Sequence, residues 1–171
     1  MSLIKTTTTL IIFCLFITTL AYAKTAEDYL KAGNTKYELK DYKGAIQDYN
    51  KAIELNPSDA EAYNNRGVAK GELKDYRGAI QDYNKAIDLN PNIAEAYNNR
   101  GNAKYKLKDY RGARQDFNKA IELNPKYADA YYNRGAAKIL LGQKENGCLD
   151  LSKAGELGFA GAYEAIKQYC Y

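Results

Sequence analysis

The sequence predicts an all-α fold, a solenoid of repeated helical hairpins. Asn56-Pro57, Asn90-Pro91 and Asn124-Pro125 recur at a fixed spacing of 34 residues. Residues 60–93 match residues 94–127 at 26 of 34 positions. Small and aromatic residues return at helical spacing in two blocks per unit, on either side of a Lys-Asp turn. Self-similarity at this period marks a supersecondary unit that cannot bury its apolar face alone and is stabilised by stacking on its neighbours.

Each element follows in chain order. Residues 1–23 form a short n-region with one cation (Lys5), an apolar run over residues 10–20 and the small-residue pattern Ala21-Tyr22-Ala23. This pattern reads as a secretory signal cleaved after Ala23. The run, interrupted by Thr18 and Thr19, falls short of the roughly 20 residues of a bilayer span, so no membrane span is expected after cleavage. Cys14 follows the bulky Phe13 inside the run, and a lipid anchor is not expected. Four units then cover residues 26–59, 60–93, 94–127 and 128–161. Ser58-Asp59-Ala60-Glu61, and Asn92 with Glu95 one unit later, read as capping boxes that start a helix. Lys74-Asp75 and Lys108-Asp109 mark the turn between the two helices of a unit, and each Pro ends a second helix. The fourth unit departs: Gly142-Gln143-Lys144-Glu145 replaces the aromatic turn, Cys148 a small residue and Phe159 the Pro. Residues 162–171 read as an amphipathic helix that caps the open edge.

The units resemble the tetratricopeptide repeat (TPR) family. Tyr63, Gly67, Ala69, Tyr76, Ala79, Tyr83, Ala86 and Pro91 carry the motif in the second unit. In the third it is carried by Tyr97, Gly101, Ala103, Tyr110, Ala113, Phe117, Ala120 and Pro125. The first unit has Tyr29, Gly33, Tyr42, Ala45, Tyr49, Ala52 and Pro57. The resemblance implies a right-handed α-solenoid whose first helices line a concave groove, and a scaffold that binds an extended peptide or protein segment there.

Composition narrows the function classes. The chain of 171 residues has no His, the commonest general base and metal ligand. A net charge of +4, spread through every repeat beside acids, lacks the clustering of a nucleic-acid footprint. No constellation of nucleophile, base and orienting group is visible, and no enzyme activity, cofactor or metal is expected.

The candidate groove residues share one face of the first helices. They are Asn34 and Tyr37; Asn64 and Asn65; Asn98, Asn99, Asn102 and Tyr105; and Tyr132 and Asn133. An Asn amide can pair with both N–H and C=O of an extended backbone, whatever its side chains. The ladder looks similar to those on the inner surface of peptide-binding TPR and armadillo superhelices; the other reading is a solvated face or a strut between helices. Gly71 leaves a notch between Tyr37 and Tyr105 along this face, suited to an apolar ligand side chain, or reflects drift. Members of the family that hold chaperone tails use cations where this chain has Leu30 and Glu95, although Asn34, Asn65 and Asn99 fit part of that scheme; the activity is not carried over. Glu27, Glu61, Glu95 and Asp129 give one edge of the face an acidic character.

Two further constellations read as structural. Arg66, Arg100 and Arg134 stand where the family usually has Leu, and Asp48, Asp82, Asp116 and Asp150 recur in the second helices, which reads as an ion-pair ladder, with ligand-binding arginines as the alternative. The first unit has Asp48 but Ala32 in place of Arg, and no unit precedes it. The expected ladder therefore pairs backward: Arg66 with Asp48, Arg100 with Asp82, Arg134 with Asp116. Cys148 and Cys170 fall at the same end of two antiparallel helices. In an oxidising compartment they form a disulfide; otherwise they are two small buried thiols. The expected location is exported, periplasmic or secreted, and bacterial export fits best. A self-assembling structural protein of the envelope, a homo-oligomer, is the alternative function.

Overall fold

The computed structural model describes residues 24–171. The expected signal at residues 1–23 and its Cys14 lie outside the described residues. Nine helices follow in order among them: α1 (Ala26–Glu38), α2 (Tyr42–Leu55), α3 (Ala60–Glu72), α4 (Tyr76–Leu89), α5 (Ala94–Lys106), α6 (Tyr110–Leu123), α7 (Ala128–Leu140), α8 (Lys144–Glu156) and α9 (Ala162–Tyr169). Helices α1–α8 form four hairpins, each within one unit, and α9 packs on α8. No helix among the described residues is long and apolar enough to cross a membrane.

Local chemistry sets the helix boundaries. The hairpin turns end in Asp41, Asp75 and Asp109, whose carboxylates accept from the N–H of Gly44, Gly78 and Gly112 at 3.0, 3.0 and 2.9 Å. These Asp side chains satisfy an orphan donor at the start of each second helix. The residue before each, Lys40, Lys74 or Lys108, is left-handed at φ 61°, 63° and 64°. Gly142 takes this place in the fourth hairpin at φ 77°. Between units, Asn56, Asn90 and Asn124 accept from the N–H two residues on, of Ser58, Asn92 and Lys126. These Asx turns explain why Asn precedes each Pro.

The expected capping boxes are corrected here. Asp59, not Ser58, caps α3, accepting from Glu61 and Ala62. Ile93 occupies the cap of α5 with no side-chain bond. In both places Asn56 or Asn90 has drawn the preceding residue into the Asx turn. Among the described residues, the one complete capping box joins Thr25 and Asp28 at the start of α1.

Close helix approach comes from a Gly facing an aromatic ring. A Cβ built on Gly33, Gly67 or Gly101 would stand 2.5, 2.7 or 2.6 Å from the ring of Tyr49, Tyr83 or Phe117. Only a residue without a side chain permits that contact. The rings then reach the next unit: Ala45 and Tyr49 cluster with Ala69, Ala79 and Tyr83 with Ala103, and Ala113 and Phe117 with Ala137. A second set of clusters closes each inter-unit seam, for example Ala86 and Ile87 against Ala96. Successive first helices also touch one another (α1 with α3, α3 with α5, α5 with α7). They therefore make the inner, concave layer.

The arginine ladder forms, but in the opposite direction to that expected. Arg66 donates through Nε and Nη2 to Asp82 at 3.0 and 2.6 Å, Arg100 to Asp116 at 3.0 and 2.6 Å, and Arg134 to Asp150 at 2.8 and 2.7 Å. Each Asp belongs to the arginine's own unit. The reason is local: Arg66 adjoins Gly67 and Asp82 adjoins Tyr83, so the contact that brings α3 nearest to α4 also joins the charges. The backward partner is an amide: Nη1 donates to Asn50, Asn84 and Asn118 of the preceding unit at 2.7, 2.7 and 2.9 Å. Lys70, Lys104 and Lys138 add a second cation to each Asp at 2.7 Å. Asp48, which has no Arg in its own unit, keeps Lys36 at 2.6 Å. Each Arg also lies over a Tyr ring one turn back, as Arg66 does over Tyr63 at 5.3 Å.

Cys148, early in α8, is bonded to Cys170, which caps α9. The bridge closes a separation of 22 residues and fixes the last helix to the last hairpin.

Two predictions follow from these contacts. Asp82→Ala leaves Arg66 and Lys70 without their carboxylate, and is expected to lower unfolding free energy by about 3 kcal/mol. Glu122→Ala, which breaks only the exposed pair with Lys119, should cost under about 1 kcal/mol. Equal losses in urea titrations of the two variants would contradict the ladder's importance. Lys40→Gly relieves a left-handed side chain and should stabilise by about 1 kcal/mol, while Gly142→Lys should destabilise by about as much. A calorimetric midpoint moving the other way in either variant would refute the turn argument.

Candidate functional site

The concave face is built from the inner sides of α1, α3, α5 and α7. Asn residues repeat there, yet much of the ladder is occupied by itself. The Asn99 amide donates to Asn64 at 3.3 Å, Asn64 donates to Asn65 at 3.3 Å, and Asn65 donates to Asn34 at 3.1 Å. The Tyr49 hydroxyl donates to the same Asn34 oxygen at 2.8 Å. Asn133 donates to Asn98 at 3.1 Å. This chain of amides ties successive first helices together across the inner layer.

The expectation that Asn64 and Asn98 present themselves to a ligand is corrected. Both are only 4% exposed. Their place on the helix turns them toward the next first helix, where an unpaired amide would be costly and a paired one is a strut. Asn65 sits beside Asn64 in an open depression with Glu61 and Glu95. Asn34 and Tyr37 lie at the N-terminal end of the face, and the Tyr37 ring packs at 5.4 Å from that of Tyr42.

Four of the expected groove residues come together. Asn102, Tyr105, Tyr132 and Asn133 line a cavity of about 320 Å³ between α5, α7 and the C-terminal helix. Ala136, Ile139, Leu140, Leu151, Ala165 and Tyr169 supply the rest of its apolar wall. Burial, and then the neighbouring Tyr110, Tyr169 and Tyr132, hold the Tyr105 hydroxyl above its ordinary pKa. Phe159 stacks on Tyr132 at 4.3 Å between ring centres and so braces one of the lining residues. Asn102 has no hydrogen-bond partner among the described residues, and its amide is free for a ligand.

A second depression, of about 420 Å³, lies over Gly71. The notch expected there exists, but its aromatic walls are Tyr76 and Tyr83 rather than Tyr37 and Tyr105. The two depressions are neighbours: Asn102 and Lys106 line both. Sequence reasoning missed Lys106, Tyr83 and Tyr169 as groove residues. Lys106 was legible from its spacing, one residue beyond Tyr105 on the same face. Tyr83 carries a family core position, and Tyr169 is brought in only by the docking of α9.

Among the described residues, no three His, Cys, Asp or Glu side chains are grouped to hold a metal.

Comparison with known proteins agrees with this architecture. The family described as Tetratricopeptide repeat matches residues 60–93 and 94–127, and a second family of that description matches 117–148. The family described as TPR repeat matches 33–74. No curated protein sequence matches the chain. Among solved structures, the chain is similar to MamA, with a TM-score of 0.75 and 26% identity, covering 89% of this chain and 86% of that one. The first TPR of Spaghetti (RPAP3), bound to the HSP90 peptide SRMEEVD, has a TM-score of 0.68 and 28% identity, covering 69% of this chain and 94% of that one. The Arabidopsis OM64 TPR domain has a TM-score of 0.67 and 32% identity, covering 68% of this chain and 96% of that one. With its repeats matched from residue 33 to residue 148 and its hairpins stacked as in these structures, the chain belongs to the tetratricopeptide repeat family.

Proposed function

We propose that the protein is a non-catalytic interaction module that holds an extended peptide or protein segment along its concave face. One observation carries this reading. Two depressions adjoin along α5, both lined by Asn102 and Lys106, with donors that the fold does not use itself. Tyr105, Tyr132 and Tyr169 offer large, rigid contact area beside those donors, the composition that favours binding of a partner. The similar domain bound to an HSP90 peptide supports the reading. Leu30 and Glu95 argue for a ligand other than that peptide's acidic tail, because the face lacks matching cations there.

Export belongs to the same proposal. The n-region, apolar run and Ala21-Tyr22-Ala23 pattern support it, as does a disulfide, which persists in oxidising compartments. Intact mass of the protein recovered from its source cells should correspond to a chain starting at Lys24; a mass that includes residues 1–23 would refute cleavage.

The groove reading is tested by capture from the source cells with the chain from Lys24 as bait. Ala136→Trp places a large side chain in the cavity beside Tyr132, and Asn102→Ala removes an amide that holds no internal bond. Both should keep the parent helicity and lose the captured partner at least tenfold. Lys85→Ala, on an exposed position of α4, should capture as the parent does. Equal capture by all four baits, or capture of the chain itself with a concentration-dependent mass in light scattering, would overturn the reading.

A further inference from the structure

The Tyr83 hydroxyl lies under the notch at Gly71. A Cβ built on Gly71 would stand 3.9 Å from that oxygen, with no other atom within 4 Å apart from its chain neighbours and the backbone of its own helix. Tyr83 is only 4% exposed, and its hydroxyl has no hydrogen-bond partner among the described residues. The first unit shows what is missing: Tyr49, at the same place, donates to Asn34, whereas the second unit has Val68 where Asn34 would be. The third unit removes the hydroxyl altogether with Phe117. The ring is buried, but the hydroxyl oxygen keeps contact with solvent, so a ligand that covers it must replace the hydrogen bond it makes to water. Here the open side of the hydroxyl faces the notch.

The other groups around the notch define what would satisfy it. Lys74 and Lys106 line the depression, and neither joins an ion pair among the described residues, unlike Lys70 and Lys104. The free Asn102 amide adds a neutral donor. Glu72 is the one acid present, and it sits beside Tyr37, whose hydroxyl is pushed up first by burial and then by that carboxylate. Donors and positive charge therefore predominate.

We propose that the notch over Gly71 is a subsite for an acidic side chain of the bound peptide, an aspartate or glutamate whose carboxylate accepts from the Tyr83 hydroxyl between Lys74 and Lys106. This inference rests on the groove reading and gives it a sequence preference. It replaces the apolar occupant expected for the notch, because an apolar side chain would leave the hydroxyl unsatisfied. Burial pushes the Tyr83 hydroxyl well above its ordinary pKa, so it remains a donor throughout the neutral range. The preference also gives the ligand a direction: its acidic residue lies at the end of the first helices opposite to Glu61 and Glu95.

The test uses the chain from Lys24 and four capped pentapeptides, acetyl-Ala-Ala-X-Ala-Ala-amide, with X as Asp, Asn, Leu or Lys. Binding is read from amide chemical shifts of Val68, Gly71 and Asn102 across a titration. The Asp peptide is expected to bind about tenfold more tightly than the Leu peptide. Tyr83→Phe, which copies the residue native at 117, should reduce that preference several-fold, and Gly71→Leu should abolish the shifts at the notch. If the Leu peptide binds as well as the Asp peptide, or Tyr83→Phe keeps the preference undiminished, the subsite is refuted. Shifts confined to the cavity at Tyr132 would also refute it while leaving the groove reading intact. No shift anywhere would refute it too, and the capture experiment would then decide the groove reading separately.

Discussion

The close contact between Gly67 and the Tyr83 ring, repeated as Gly33 with Tyr49 and Gly101 with Phe117, fixes much of what surrounds it. It sets how near the two helices of a unit approach. That approach puts Arg66 within bidentate reach of Asp82 and Lys70 beside it. It also pushes the ring through to the next unit, where Ala103 closes over it. A small residue in one helix thus specifies both the hairpin and the stacking of hairpins. In the fourth unit the rule is kept with different atoms: Gly135 approaches the backbone of Gly147, and Leu151 replaces the ring.

The polar contacts add register to this packing. An apolar seam of Ala, Ile and aromatic side chains is tolerant of sliding, since such contacts have no direction. Arg66 removes that tolerance by bonding α4 through Asp82 and α2 through Asn50 at once, while its guanidinium lies over Tyr63. Each such Arg holds three helices at one relative setting. Burying ion pairs contributes little net stability when desolvation is counted, so their effect here lies in geometry. The amide chain from Asn99 to Asn34 does the same for the inner layer and fixes the spacing of the concave face.

The fold was legible because its cause is periodic. Gly, Ala, Tyr and Pro recur in phase, and the repeats state which residues share a face. Ion-pair direction was not legible, because spacing alone places Asp48 and Asp82 on equivalent faces of α2 and α4, and either could serve Arg66. Only the Gly67–Tyr83 contact decides between them. Asn64 and Asn98 were legible as polar residues on a first helix, but not as buried ones, since groove and inter-helix positions occupy adjoining arcs of the same helix. The Asn–Pro pairs were read for the Pro alone; the Asx turn shows that Asn56, Asn90 and Asn124 carry as much of the inter-unit geometry.

The near-identity of the second and third units turns their differences into information. They differ at only eight of 34 positions, and four of these pairs are Val68 with Asn102, Gly71 with Tyr105, Glu72 with Lys106 and Tyr83 with Phe117. Each pair has at least one member lining the neighbouring depressions on the concave face. The second unit combines a hydroxyl that makes no bond among the described residues with an absent side chain at Gly71, and the third combines a free amide with a full ring at Tyr105. One unit is therefore hollow and donor-floored where the next is filled and aromatic. Two stacked copies of one hairpin would otherwise offer a ligand the same surface twice. The substitutions make successive places along the groove chemically different, which is what reading the side chains of an extended segment in a fixed register requires.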